Sequence, residues 1–214
     1  MKRKEIIALI LNIVLVALSI LGLILVSKQV DNLFLYYTEN SNILSLISSL
    51  LFAIFLLIKK DIKHIPTWVC VLRYIGTCCL AVTFIVVVTI LIPSNNANYL
   101  EGAKHLLLEG SMLFHHFLCP IISFISFTVF EGNEKLNKNK TIWYALIPTF
   151  IYGIIFVTLN IVKVVDGPYP FLRVYRQPWY MSILWIFVIF IGNYYIAKLI
   201  LYLNQMSINR DLKK

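Results

Sequence analysis

Six long runs of apolar residues follow one another along the chain, separated by short segments rich in charged and turn-forming residues. The runs lie at residues 5–27, 35–58, 68–93, 108–131, 141–164 and 179–203. A helix needs about 20 such residues to cross about 30 Å of hydrocarbon, and backbone groups in lipid must find their hydrogen bonds within the protein. The pattern predicts an all-α polytopic membrane protein, with residues 1–214 forming one bundle of about six transmembrane helices.

The composition agrees with this interpretation. Of the 214 residues, 60% are hydrophobic and 14% are charged, more apolar surface than a soluble domain of this length can bury. A net charge of +9 would suggest a nucleic-acid partner in a soluble protein, but the charges cluster between the apolar runs. We therefore expect the phospholipid bilayer, and no nucleic acid, as the surrounding partner.

The cysteines give no sign of a metal or disulfide framework. All four lie inside predicted spans and none belongs to a CxxC pair: Cys70, Cys78, Cys79 and Cys119. Buried cysteine in an apolar span is ordinary packing. We predict no metal and no cofactor.

Lysine and arginine counts in the short loops predict the orientation, because these residues accumulate on the cytoplasmic side. Twelve lie on one side: Lys2, Arg3, Lys4, Lys59, Lys60, Lys63, Lys135, Lys138, Lys140, Arg210, Lys213 and Lys214. Five lie on the other: Lys28, Lys104, Lys163, Arg173 and Arg176. The bias predicts a multi-pass protein of the cell (inner or plasma) membrane with both termini in the cytoplasm and with loops 28–34, 94–107 and 165–178 outside.

Polar residues inside spans cost free energy and are the first place to look for function. The second span opens with Thr38, Ser41 and Asn42 at spacings i, i+3 and i+4, which share one helix face. Helix capping and helix–helix hydrogen bonding would explain them without any function. A functional interpretation needs partners from other spans.

The fourth span carries two adjacent histidines, His115 and His116. Neighbouring residues diverge by about 100° around a helix with 3.6 residues per turn, so we expect only one imidazole to point fully into the bundle. Glu109, Met112 and His116 form one predicted stripe at i, i+3 and i+7, and Ser111 with His115 forms another.

Depth connects these residues. Thr38, the histidines and Asn160 all fall in the outer part of their predicted spans. A hydroxyl, an imidazole and a carboxamide at one level are the minimum for a nucleophile, a general base and an orienting or oxyanion donor.

Three motifs in order resemble the androgen-induced-gene-like family of membrane proteins (the FAR-17a type), including its small bacterial branch. They are a Thr-containing start of the second span at residues 36–42, histidine shortly before Pro120, and the loop sequence Tyr-Pro-Phe-Leu at residues 169–172. The resemblance covers residues 30 to 200. It implies an intramembrane threonine hydrolase of fatty-acid esters that uses a Thr–His pair.

Carried over by position, the family's threonine falls on Thr38. His116, four residues before Pro120, matches the spacing expected of the bacterial branch, and His115, five before, matches the animal branch. We prefer His116 as the general base and keep His115 as the alternative. The candidate substrate-binding residues are Ser41, Asn42, Glu109, Met112, Asn160, Tyr169 and Phe171.

The Tyr-Pro-Phe-Leu loop at residues 169–172 is expected to cover the outward mouth of the site, because Pro168 and Pro170 restrict it to extended or turn conformations. Anchoring of its aromatic rings at the membrane interface is the alternative.

Three functions compete. The first is a lipid-ester hydrolase whose partner is a membrane lipid or fatty-acid ester. The second is a small-molecule or lipid-binding membrane protein or transporter, although no inverted repeat is visible. The third is a zinc-dependent membrane hydrolase, for which His105, His115 and His116 are the histidines that could converge; a catalytic zinc typically has three protein ligands.

Overall fold

The computed structural model describes residues 1–95, 98–136 and 139–212, and this part of the chain contains helices and no strand. Asn96, Lys138, Lys213 and Lys214, which belong to the predicted loops and the charge count, lie outside the described residues. The helices are α1 (Arg3–Val26), α2 (Tyr37–Lys59), α3 (Thr67–Ser94), α4 (Tyr99–Leu108), α5 (Gly110–Phe130), α6 (Asn139–Ile161) and α7 (Trp179–Leu212). All except the short α4 are long and apolar enough to cross a membrane. The prediction of an all-α polytopic bundle with six spans is confirmed.

Left-handed backbone conformations mark several helix boundaries. Lys60, with φ 57°, ends α2, and Gly110, with φ 54°, separates α4 from α5. Glycine adopts this conformation without steric cost. The break at Gly110 means that α5 begins two residues later than the fourth predicted span, and residues 99–107 of the predicted loop are helical.

α5 is irregular around Pro120. Its segments Leu113–Leu118 and Ser126–Phe130 are π-helical. Proline has no backbone N–H, so Pro120 cannot supply the usual α-helical hydrogen bond to the carbonyl of His116. A π-helical turn of this kind frequently accompanies a functional site, and here it contains both histidines of the pair.

α1, α2, α3 and α5 form the centre of the bundle, and α6 and α7 complete one side of it. α2 and α3 approach closely at Gly76, where an added Cβ would lie 2.6 Å from Oγ of Ser48. α6 and α7 leave many large apolar side chains exposed, as expected of helices that face lipid.

Three connections meet at one end of the bundle, which we call the long-loop end: residues 27–36, 98–109 and 162–178. The Tyr152 hydroxyl of α6 donates to the carbonyl of Leu35 at 2.7 Å, which ties α6 to the segment before α2. Asn160 donates to the carbonyl of Val165 at 2.9 Å and accepts the N–H of Val174 at 2.8 Å. This end of the fold positions the residues that the sequence singled out.

Candidate active site

Thr38 and His116 are in contact across the bundle. Thr38 lies in the first turn of α2, His116 in the π-helical turn of α5, and both side chains are about 5% exposed. Oγ1 of Thr38 lies 3.2 Å from Nε2 of His116. The hydroxyl and imidazole that the sequence placed at one depth are therefore hydrogen-bonded to each other.

The second ring nitrogen of His116 determines which way this hydrogen bond runs. Nδ1 lies 2.8 Å from the carbonyl oxygen of Leu106 in α4. A carbonyl can only accept, so Nδ1 carries the proton and, in a neutral ring, Nε2 has the free lone pair. The Thr38 hydroxyl then donates to Nε2, which is the arrangement of a hydroxyl nucleophile beside its general base.

Tyr169 completes the surroundings of the Thr38 hydroxyl. Its phenolic oxygen accepts the backbone N–H of Thr38 at 3.3 Å and lies 3.4 Å from Oγ1. Burial raises the pKa of Tyr169 to about 12, so the phenol keeps its proton at neutral pH. The ring stacks on Phe171, with centroids 5.3 Å apart.

Ser41 and Asn42 support Thr38 from behind. The Ser41 hydroxyl donates to the carbonyl of Thr38 at 2.8 Å, and Nδ2 of Asn42 donates to the same carbonyl at 2.9 Å. Asn42 also reaches the carbonyl of His115 at 3.3 Å. Neither side chain lines the cavity described below, and both brace the first turn of α2; their assignment as substrate-binding residues stays a prediction.

His115 has a partner of its own. Its Nδ1 lies 2.6 Å from Oε2 of Glu39, and both side chains are buried. Its Nε2 lies 3.4 Å from the carbonyl oxygen of Ser19 in α1. The ring fits there because residue 22 is glycine: a Cβ on Gly22 would lie 2.2 Å from Nε2.

Both histidines therefore lie inside the bundle, and the expectation that only one could do so is wrong. The π-helical turn changes the angular spacing of neighbouring residues, so His116 faces Thr38 while His115 faces Glu39 and α1. Glu39 was overlooked as a site residue, although its place next to Thr38 in the second span was a usable signal.

The predicted stripe of Glu109, Met112 and His116 does not form. Glu109 precedes the break at Gly110, is exposed and contacts Nδ1 of His105 at 3.0 Å. Met112 is half-buried and does not line the cavity. The assumption of a single continuous helix was wrong because the chain breaks at Gly110, and the assignment of Glu109 and Met112 as substrate-binding residues stays a prediction.

Asn160 lies beside the loop that follows α6, and its role as a donor at the site stays a prediction. Its side chain is buried and uses both ends on the backbone of the 165–174 segment. It anchors the loop that carries Tyr169.

An apolar cavity of about 320 Å³ adjoins Thr38. Its walls come from α2, α3, α6, α7 and the 169–174 loop, and are mainly aliphatic and aromatic. Tyr169 and Phe171 both line it, as expected of a loop over the mouth of the site. Phe150, Ile154 and Ile186 line it too, although about half of each side chain is exposed on the lipid-facing side of α6 and α7. The cavity thus reaches the lateral surface of the bundle.

A second group of buried polar side chains lies near the other end of α5. It was not expected from the sequence. Arg73 of α3 is fully buried, with Nε 3.2 Å from Oε2 of Glu131. Asn12 of α1 donates to the same carboxylate at 2.7 Å and accepts from Arg73 at 2.9 Å. Arg73 is the one charged residue of the predicted span 68–93, and its position inside a span was the available signal. The count of loop charges did not include it. The group joins α1, α3 and the residue that follows α5.

Among the described residues, no three histidine, cysteine, aspartate or glutamate side chains converge as metal ligands would. His105, one of the three proposed zinc ligands, is exposed and contacts Glu109. His115 and His116 each face a different partner.

Comparisons with models of known families, with curated proteins and with solved structures find no match for this chain.

Proposed function

We propose that this chain is an intramembrane hydrolase of lipid esters, with Thr38 as nucleophile and His116 as general base. One observation carries the proposal: the Thr38 hydroxyl is hydrogen-bonded to the unprotonated nitrogen of His116 and faces an apolar cavity. An isolated threonine hydroxyl is a poor nucleophile, and a base in contact with it is the usual means of activation. The resemblance to the androgen-induced-gene-like family points to the same pair.

The chemistry follows from these groups. The Thr38 oxygen attacks the acyl carbonyl carbon while its proton passes to Nε2 of His116. The alcohol then leaves with that proton, and the acyl group remains on Thr38. Water attacks this acyl-threonine, gives a proton to His116 and releases the fatty acid, after which the proton returns to Thr38.

The cavity supports a long-chain acyl group as the part of the substrate that is bound. Its apolar lining suits hydrocarbon, and the exposed residues Phe150, Ile154 and Ile186 give it a lateral opening between α6 and α7. A membrane-dissolved ester would reach Thr38 sideways from the bilayer. With the termini in the cytoplasm, this access lies in the outer half of the cell membrane.

The test combines covalent labelling with turnover. A long-chain fluorophosphonate should label the purified wild-type protein, and a long-chain 4-nitrophenyl ester should be hydrolysed. Thr38→Ala should reduce both to background, whereas Thr38→Ser, which retains a hydroxyl, should retain labelling. Thr128→Ala is the matched control, because Thr128 is a buried threonine of α5 that donates within its own helix at 2.7 Å.

Equal turnover by wild type and Thr38→Ala would refute the proposal. It would favour the second candidate, a lipid-binding membrane protein, which the apolar cavity also supports. In that case a fluorescent fatty-acid ester should bind to wild type and Thr38→Ala with the same affinity and remain intact.

A further inference from the structure

Ester hydrolysis passes through a tetrahedral intermediate whose former carbonyl oxygen is negatively charged. Hydrogen-bond donors aimed at this oxyanion lower the barrier, and they are often the largest single contribution to catalysis. The oxyanion and the Thr38 oxygen would be bonded to the same carbon atom. A suitable donor must therefore lie beside Oγ1 of Thr38 and open onto the cavity.

Most donors described around Thr38 are already engaged. The N–H of Thr38 donates to the phenolic oxygen of Tyr169. Nδ2 of Asn42 donates to two backbone carbonyls, and the hydroxyl of Thr83 donates to the carbonyl of Cys79 at 3.1 Å. These groups could reach an oxyanion only by giving up a hydrogen bond.

The phenol O–H of Tyr169 differs from them. Its oxygen is an acceptor for the N–H of Thr38, and the acceptor within hydrogen-bonding distance of the phenol among the described residues is Oγ1 of Thr38, with the two oxygens 3.4 Å apart. The Oγ1 proton is directed to His116. As the C–O bond forms, Oγ1 becomes a much weaker acceptor than the neighbouring, negatively charged oxyanion, so the phenol hydrogen would transfer its bond from Oγ1 to the oxyanion.

We infer that Tyr169 is the oxyanion donor of the hydrolysis, and therefore a catalytic residue of the 162–178 loop. This inference rests on the proposed function. The phenol keeps its proton throughout and stabilises the charge that develops when the carbonyl electron pair moves onto oxygen. Its ring is held by Phe171 and by Tyr152, whose ring centroid lies 6.4 Å away.

The experiment removes the hydroxyl and keeps the ring. Tyr169→Phe should lower kcat for the long-chain ester by about 10²–10³-fold, the usual effect of losing one oxyanion donor, with little change in KM. Tyr175→Phe is the control, because Tyr175 belongs to the same loop but lies outside the cavity lining, and its hydroxyl donates to the carbonyl of Ile161 at 2.8 Å. It should keep the wild-type kcat.

A second substitution distinguishes a phenol that donates to the oxyanion from a phenol that only accepts the N–H of Thr38. It also tests the inference if Tyr169→Phe does not fold. Replacement of Tyr169 by 3-fluorotyrosine makes the phenol a stronger donor and a weaker acceptor. An oxyanion donor predicts a kcat at least equal to that of wild type, whereas a phenol that only accepts the N–H of Thr38 predicts a lower one. The inference is wrong if hydrolysis depends on Thr38 but the kcat of Tyr169→Phe equals that of wild type. It is also wrong if the 3-fluorotyrosine protein has a lower kcat than wild type. In both cases the proposed function stands. If wild type hydrolyses no ester, the proposed function itself has failed.

Discussion

At the residue scale, two neighbouring pairs connect α2 to α5: Thr38 with His116, and Glu39 with His115. The first pair opens onto the cavity through Thr38. The second faces α1 and is enclosed, with Nε2 of His115 directed at a backbone carbonyl and Nδ1 at a carboxylate. Both nitrogens of His115 therefore face acceptors inside the bundle, and this pair contacts α1 and not the cavity.

This difference predicts opposite results for the two histidines. His116→Ala should lower kcat by about 10²–10⁴-fold, the usual contribution of a general base, with normal thermal stability. His115→Ala should keep its activity per folded molecule but unfold at a lower temperature, since it leaves the Glu39 carboxyl buried without its partner. Adding Glu39→Gln to His115→Ala should restore part of the stability. Ester turnover and thermal unfolding in detergent would check this, and loss of activity in folded His115→Ala would transfer the base to His115.

The residue-level prediction from sequence succeeded for depth. Thr38 and His116 were expected at one level of the bundle, and the structure has the two side chains in contact. The prediction failed where local backbone geometry decides the direction of a side chain. Glu109 is separated from His116 by the left-handed Gly110, and the π-helical turn puts His115 inside the bundle as well. Neither the break nor the π-turn has a reliable signature in a single apolar sequence.

At the scale of elements, α6 and α7 form the lipid-facing wall of the cavity, and Gly153 of α6 lies in that wall. An added Cβ at Gly153 would meet no heavy atom within 4 Å. The backbone can therefore accept a larger side chain there, and part of the cavity would be filled by it.

Gly153→Leu should consequently reduce hydrolysis of long-chain esters more than that of short-chain esters. Gly192→Leu of α7 is the matched control: a Cβ there also meets nothing within 4 Å, and Gly192 does not line the cavity. The ratio of kcat/KM for a 16-carbon and a 4-carbon ester is the measurement. An unchanged ratio in Gly153→Leu, with normal folding, would show that the acyl chain lies elsewhere.

The elements themselves were the most predictable part of the fold. Each predicted span begins within two residues of its helix and, apart from the last, ends within three residues of it, because span length is imposed by the thickness of the hydrocarbon. Where the helices pack was less predictable. The buried ion pair of Arg73 and Glu131 joins α3 to the end of α5. The sequence shows that Arg73 lies in a span, but it does not show that Glu131 is its partner.

At the scale of the whole molecule, the long-loop end carries the site, so the orientation of the bundle decides from which side of the membrane water reaches Thr38. The charge bias, twelve lysines and arginines against five, predicts that this end faces outward. Asp31 at this end and His64 at the opposite end are both exposed. All four native cysteines are buried and can be replaced to leave a silent background.

In that background, Asp31→Cys should react with an impermeant maleimide added to intact cells, and His64→Cys should react only after the membrane is opened. The pair forms its own control, because each position reports the side that the other does not. Labelling of His64→Cys from outside, with Asp31→Cys protected, would invert the orientation. Thr38 and Tyr169 would then lie toward the cytoplasmic leaflet, and esters of that leaflet, with water from the cytoplasm, would become the expected substrates of the same residues.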